Sequence, residues 1–327
     1  MASDQDNSQK ENRASEFKKV LCRFCSNENT IRWTKRKTEN RGLIQRYKCK
    51  DCNKSFTKDD GFLRMRNSPQ KVTLCLDLFY RGVSTRKVQE HLQTFYPHNS
   101  SHKSIYKWVI KYSKKISQFT DTLKLQVGKE IQIDEMEYHR RKYPNKKGVD
   151  KNWFIDVVDC KTRFMVSSNY VKHRGQKEIR QVMKKVKNKT ENQIAICTTD
   201  GLNAYCKVVK RTFGYNNKLR KHNVFHKIVN ASKGDGFNII VERLHNNIRQ
   251  RTKTFRGFHG SIHSANAIMK GYEIYYNFIT KHQAIKKSPY ELSIPNLKLG
   301  INKWLDLISF ASSERLSKNP QDFREGI

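Results

Sequence analysis

Two pairs of cysteines near the start of the chain constrain its folding more than any other feature. Cys22 and Cys25 form the first CxxC pair, and Cys49 and Cys52 form the second. Two thiolates that lie two residues apart reach one ion from a tight turn, and two such turns complete a tetrahedral Zn²⁺ site. We therefore predict a zinc ribbon over residues 19–58 with one structural zinc ion. The alternative, two chance pairs of reduced cysteines, stays open.

The charge of the chain indicates a polyanionic partner. The 327 residues include 66 Lys and Arg but 30 Asp and Glu, which is a formal net charge of +36. A folded chain with such an excess repels itself unless a polyanion neutralises it, so nucleic acid is the first partner to consider. The hydrophobic fraction of 36% is enough for a core and excludes a fully disordered basic tail.

No targeting segment or membrane span is predicted. The chain has no run of about 18 apolar residues, and its first residues lack the apolar region of a secretory signal. We therefore expect a reducing compartment and no membrane partner. Residues 1–18 are polar and are predicted to be a disordered tail.

Residues 68–120 carry the apolar spacing of three short helices. Gly82 is the predicted end of the first helix, and Ser84 is the predicted N-cap of the second. The third helix has apolar residues on one side and exposed cations largely on the other, among them Lys103, Lys107, Lys111 and Lys114. This pattern indicates a helix-turn-helix domain that binds DNA. The alternative is a helical linker whose lysine face is only solvated.

Residues 127–296 alternate between strand and helix patterns. Strands are predicted at 130–138, 152–158, 163–171 and 193–197, and helices at 176–187 and 241–249. Three antiparallel strands, a helix, a strand and more helices are the order expected of a ribonuclease H-like α/β fold. Apolar residues between Trp304 and Phe310 predict a helical C-terminal tail within 297–327.

Three carboxylates stand where this order of elements would bring them together. Asp134 lies in the first strand, Asp200 ends the fourth, and Glu242 opens a helix. Mg²⁺ prefers oxygen ligands, and two such ions promote phosphoryl transfer without a protein nucleophile. Arg249 shares a helix face with Glu242 two turns earlier, so it is placed to contact a phosphate of the same substrate. A surface charge is the plainer interpretation of any one carboxylate alone.

In combination, these motifs resemble the prokaryotic DDE-type insertion-sequence transposases. The resemblance spans about residues 20–295 and rests on motifs at 45–56, 134–135, 153–159, 199–205, 242–249, 251–258, 264–265, 282–283 and 288–292. It implies cleavage at transposon ends and strand transfer into target DNA, with Mg²⁺ or Mn²⁺ held by Asp134, Asp200 and Glu242. It also implies a cytoplasmic, nucleoid-associated protein of a prokaryotic cell.

The resemblance further implies that double-stranded DNA, as terminal repeats and as target, is the partner. Its backbone would be contacted by Arg249 and by a basic stretch that contains Arg251, Lys253 and Arg256. We expect a homodimer or higher oligomer on that DNA.

The third carboxylate has alternatives. The shorter spacing common among close relatives would select Asp235, which lies between two glycines that leave its backbone loose. Glu242 stands in the first turn of a helix, so we prefer it. Glu135 and Glu137 are expected to point to the opposite face of their strand from Asp134, and we rank both below it.

Two other classes of protein compete with this interpretation. A transposase-derived DNA-binding regulator without catalytic activity would have no chemical reason to retain all three carboxylates. An RNA-binding or structural protein would explain the charge but not the carboxylates. Metal-dependent nicking of DNA separates the enzyme from both alternatives.

Overall fold

The computed structural model describes residues 20–39, 41–96, 100–141, 149–229, 238–253, 258 and 260–313. These residues fall into two compact units, one within Met1–Ser68 and Ser312–Ile327 and the other within Pro69–Ala311. The predicted disordered tail, Asp235 and Arg256 lie outside the described residues. Within the described ranges, no helix combines the length and apolarity needed to cross a bilayer.

The first unit contains a small antiparallel sheet with strand order β1-β2-β3. Its strands are β1 (Thr30–Thr38), β2 (Gly42–Cys49) and β3 (Ser55–Thr57). The buried side chains of its core are Cys22, Cys49 and Phe56, against which Tyr47 packs. So few apolar side chains cannot stabilise a fold on their own, and such segments usually depend on a metal or a disulfide.

The second unit begins with three helices, α1 (Pro69–Tyr80), α2 (Thr85–Phe95) and α3 (His102–Thr120). Gly82 follows α1 with a φ of +99°, a left-handed value that favours glycine. Ser84 is the N-cap of α2, where its side chain accepts a hydrogen bond from the backbone N–H of Lys87. Both residues therefore act as the sequence predicted.

The remaining elements of the second unit alternate between strands and helices. In chain order they are β4 (Glu130–Glu137), β5 (Arg140–Arg141), β6 (Val149–Asp150), β7 (Trp153–Asp159), β8 (Met165–Val171), α4 (Gln176–Thr190), β9 (Ile196–Thr199), α5 (Asn203–Phe213), β10 (Tyr215–Asn216), β11 (Lys221–His222), β12 (Phe225–Ile228), α6 (Ile239–Thr252), α7 (Ile262–Ile274), a π-helical segment (Tyr275–Ile279), α8 (Pro289–Ser293) and α9 (Lys303–Ser313).

A five-stranded mixed sheet organises this unit, with strand order β12-β9-β4-β7-β8. Strand β4 pairs with β9 in parallel and with β7 antiparallel, and β8 continues the antiparallel side. This mixed α/β architecture is consistent with the ribonuclease H-like fold expected from the sequence. Strand β12 was not predicted, because its four residues are mostly exposed and acquire strand geometry by pairing with β9.

Helices cover both faces of the sheet. Helix α6 packs on β4 and β7, α7 packs on β8, and α4 packs on β7, β8 and α5. Helix α7 lies very close to α1, because a Cβ at Gly271 would overlap the hydroxyl of Tyr80. That hydroxyl forms a buried 2.6 Å hydrogen bond with Ser113 of α3. Helices α1 and α3 are therefore packed with the sheet in one compact unit.

A cluster of charges ties the end of α3 to α4 and α7. The carboxylate of Asp121 lies 2.9 Å from Lys189 Nζ, 3.0 Å from Lys185 Nζ and 4.0 Å from Lys270 Nζ. Burial alone would raise the pKa of Asp121, but the three lysines outweigh burial and hold the pKa well below its usual value. The ionised carboxylate thus contributes stability to this junction between helices.

We expect Asp121→Asn to lower the free energy of unfolding by about 2–3 kcal/mol at pH 7. This is below the roughly 3–5 kcal/mol of a fully buried pair, because the Asp121 side chain is 28% exposed. The folded pKa is depressed, so the advantage of the wild type should be constant above the unfolded pKa near 4 and shrink as pH falls further. Urea unfolding at pH 7 measures the first effect, and a series that continues from pH 4 down to about pH 2 measures the second. The exposed-pair variant Glu90→Gln is the control and should cost less than about 0.5 kcal/mol.

Candidate active site and metal centres

Two predicted carboxylates meet where the parallel pairing of β4 with β9 ends. The register of β4 against β9 aligns Gln132 with Thr198. Two residues further along each strand are Asp134 and Asp200, so both follow the last paired residues at the same edge of the sheet. Asp200 Oδ1 also accepts a 3.0 Å hydrogen bond from the backbone N–H of Leu202 at the start of α5, which orients this carboxylate.

A third carboxylate joins this pair, and it is not the predicted one. Single oxygen atoms of Asp134, Glu135 and Asp200 all lie within 4.8 Å of one another. The carboxylate of Glu135 interacts with the buried Tyr205 of α5 as well as with Asp200. Its long side chain nevertheless reaches the same edge, because β4 extends past its paired length with β9 at this point. Strand alternation alone therefore did not predict that the carboxylates of Glu135 and Asp134 lie so close together.

The electrostatics of this carboxylate group favour a bound cation. Burial is the main cause that raises the pKa of Asp134, and the charges of Asp156 and Asp200 add to it; against the lowering effect of His245, the pKa comes to about 6. Burial and Asp200 raise the pKa of Glu135 to about 7. Carboxylates crowded in a partly buried site repel one another when they are ionised, and a divalent cation with oxygen ligands removes that repulsion. The donor set thus fits Mg²⁺ or Mn²⁺.

Glu242 lies in the first turn of α6, as predicted, but its exposed side chain is not part of this group of three. The buried face of α6 consists of Val241, Leu244, His245, Ile248 and Thr252, whereas Ile240 is only half-buried. The predicted apolar stripe was therefore wrong at Ile240. The buried side of α6 is rotated about the helix axis, relative to the predicted stripe, by about one residue. Glu242 remains one turn before His245, which contacts Asp134.

The predicted DNA contacts differ in their surroundings. Lys103, Lys107, Lys111 and Lys114 are all exposed on α3. On α6, Arg249 is exposed and donates a 3.3 Å hydrogen bond to Asn246, and the residue after the helix, Lys253, is exposed. Arg251 is half-buried, with its guanidinium 5.8 Å from the ring centre of Tyr275 and bonded to the carbonyl of Arg81.

Sequence reasoning missed two buried polar residues beside the carboxylates. Asp156 of β7 is fully buried and accepts a 2.7 Å hydrogen bond from His245 Nε2. His245 Nδ1 lies 3.7 Å from Asp134 Oδ2. A signal for Asp156 was present, since a carboxylate inside the apolar run of β7 requires a buried partner. The identity of that partner depends on the packing of α6 and could not be derived from the run itself.

The four cysteines of the first unit come together as predicted. Their sulfur atoms all lie within 4.8 Å of one another, and two Sγ–Sγ distances, Cys22 to Cys52 and Cys25 to Cys49, are 3.6 Å. A tetrahedral zinc site with Zn–S bonds of about 2.3 Å has sulfurs about 3.8 Å apart, so the cluster has the right size. Burial raises the pKa of Cys22, but the backbone N–H groups of Phe24 and Cys25 outweigh it and bring the pKa to about 7. This arrangement is consistent with a zinc ribbon.

We expect purified protein to contain one zinc ion per chain and the double variant Cys49→Ser, Cys52→Ser to contain none. Two thiolates cannot replace the closed four-thiolate site, and the small core cannot hold the unit together without the metal. Metal analysis by mass spectrometry measures the zinc content. Cys206→Ser on α5 removes a half-buried thiol outside the cluster and should retain the zinc. Unchanged zinc in the double variant would show that the four cysteines are only reduced thiols.

Comparison with known proteins adds one independent finding. Residues 150–283 match a family model described as a DDE domain, of the insertion-sequence transposase type. The match covers β7, β9 and α6, and therefore Asp156, Asp200 and Glu242. No curated protein matches the chain.

Proposed function

Because residues 150–283 match the DDE domain of insertion-sequence transposases, we propose that this protein binds the ends of its element and catalyses metal-dependent DNA cleavage and strand transfer. The observation that carries the proposal is the meeting of Asp134 and Asp200, where β9 ends beside its parallel neighbour β4. We further propose that the protein is cytoplasmic and nucleoid-associated in a prokaryotic cell, because its substrate would be the DNA there.

We assign Asp134, Asp200 and Glu242 as the ligands of the catalytic Mg²⁺ or Mn²⁺ ions. When bound, two such ions lower the barrier to in-line displacement at a phosphodiester by stabilising the attacking and leaving oxygens. Glu242 would complete the set from α6, which already contacts Asp134 through His245. Arg249, two turns after Glu242, would bind a phosphate of the DNA on the same side of the helix.

DNA binding is the second part of the proposal. The net charge of +36 favours association with duplex DNA through the release of counterions. The exposed lysines of α3 form one cationic row, and the second basic region follows Arg249 at the end of α6. We propose that helices α1–α3 form a helix-turn-helix domain that recognises the terminal repeats. A homodimer or higher oligomer would hold both transposon ends and the target DNA.

We expect Lys107→Ala, Lys111→Ala to weaken binding to end DNA and to reduce its salt dependence. Each phosphate contact contributes about 0.9 to the slope of log affinity against log salt, so the slope should fall by about 2. Fluorescence anisotropy over a series of salt concentrations measures the slope. The control Lys177→Ala, Lys184→Ala removes two exposed charges from α4 and should change the slope less. Equal slopes in wild type and the α3 variant would mean that this lysine face is only solvated.

The direct test of the function is incubation of the full chain with Mg²⁺ and the DNA that flanks its gene, followed by mapping of the cleaved ends. Cleavage at defined ends, lost on addition of EDTA, is the expected result. Tight binding to the ends without cleavage in either Mg²⁺ or Mn²⁺ would favour the second candidate, a DNA-binding regulator derived from a transposase. That candidate is supported by the position of Glu242 outside the group of three carboxylates.

A further inference from the structure

A buried carboxylate that the proposed chemistry does not use lies on strand β7, next to the candidate active site on β4. The register of β4 against β7 pairs Asp134 with Asp156, so the two side chains share one face of the sheet. Asp156 is 0% exposed. Taking a carboxylate out of water is costly unless it is paired and hydrogen-bonded, so a residue of this kind needs a structural or functional partner.

The partner is a single imidazole. His245 of α6 is 3% exposed and stands between the two carboxylates. Its Nε2 donates a 2.7 Å hydrogen bond to Asp156 Oδ1, and its Nδ1 faces Asp134 Oδ2 at 3.7 Å. The short bond fixes the plane and direction of the ring, and the ring in turn presents one nitrogen to the outer oxygen of Asp134.

Both oxygens of Asp134 are therefore directed by the protein. Oδ1 accepts a 2.8 Å hydrogen bond from the backbone N–H of Glu135, while Oδ2 faces the ring of His245. Glu242, one turn earlier on the same helix, is exposed. Metal ligands usually depend on such outer partners, whose loss costs about 10–100-fold in metal affinity or activity.

We propose that Asp156 and His245 are positioning residues that hold Asp134 in the orientation required for a divalent metal ion. Asp156 holds the imidazole, and the imidazole holds the carboxylate. The inference rests on the proposed function, because it assumes that Asp134 binds the catalytic ion. It adds that α6 contributes to the metal site through a buried histidine as well as through Glu242.

The test is Mn²⁺ binding to the full chain, measured by electron paramagnetic resonance of the free ion, in parallel with DNA cleavage at increasing Mn²⁺. We expect His245→Ala to weaken Mn²⁺ binding about 10–100-fold, and Asp156→Asn to weaken it by about tenfold, near the lower end of that range. Cleavage by each variant should recover as Mn²⁺ is raised, which a general folding defect would not allow. Val186→Ala removes buried volume from α4, away from the site, and should leave Mn²⁺ affinity unchanged.

The outcomes separate this inference from the proposed function. Asp134→Asn should abolish Mn²⁺ binding, and binding that survives in this variant would overturn the metal site itself. Lost binding in Asp134→Asn together with wild-type affinity in His245→Ala would overturn only the positioning role. If His245→Ala fails to fold, Asp156→Asn decides the question, and wild-type affinity in that variant contradicts the proposal.

Discussion

Asp134→Asn and Asp200→Asn each reduce Mg²⁺-dependent cleavage and strand transfer by at least about a thousandfold, a change of about 4 kcal/mol in the activation barrier. This is the expected result because each substitution replaces an anionic ligand with a neutral amide at the edge where the two strands meet. The measurement is cleavage of an end-containing duplex under single-turnover conditions, with circular dichroism and end binding to verify the fold.

Glu137→Gln is the matched control for this experiment. Glu137 also lies on β4, but it is exposed and its carboxylate is 3.8 Å from the ammonium group of Lys151. Its loss should change the cleavage rate less than about threefold, which is well under 1 kcal/mol. Residual activity of Asp134→Asn or Asp200→Asn within about tenfold of wild type would contradict a role in holding the metal.

The second large effect concerns the third carboxylate. We expect Glu242→Gln to eliminate cleavage, again by about a thousandfold or more, and Glu135→Gln to cost about tenfold or less. Glu242 is exposed on α6 together with Arg249, where a DNA phosphate can approach, whereas Glu135 is partly buried and interacts with Tyr205. Strand transfer of pre-cleaved ends should show the same ranking as cleavage.

The reverse ranking would identify Glu135 as the third ligand and would agree with the carboxylate group seen in the structure. Asp235→Asn belongs in the same series, because a spacing argument selects that residue. It is expected to retain most of the activity. Loss of activity in Asp235→Asn, with Glu242→Gln unaffected, would show that spacing is a better guide here than the helical position of Glu242.

Much of the architecture could be predicted from local patterns. The two CxxC pairs predicted a cluster of four thiolates, and their sulfurs do converge. Alternation along residues 130–138 predicted β4, and turn chemistry at Gly82 and Ser84 predicted the break between α1 and α2. These signals succeed because the physical preferences behind them, metal coordination, strand alternation and helix capping, act between residues close in the chain.

Contacts between distant residues were decided only by the tertiary structure. Strand β4 lies between β9 and β7, so Asp134 has Asp200 on one side and Asp156 on the other, and no periodicity within β4 specifies either neighbour. The packing of α6 on β4 and β7 buries His245 and leaves Glu242 exposed, and the sequence of the helix alone does not specify this packing. Periodicity in a sequence records which side of an element is buried, whereas pairing and register between elements determine which atoms meet there.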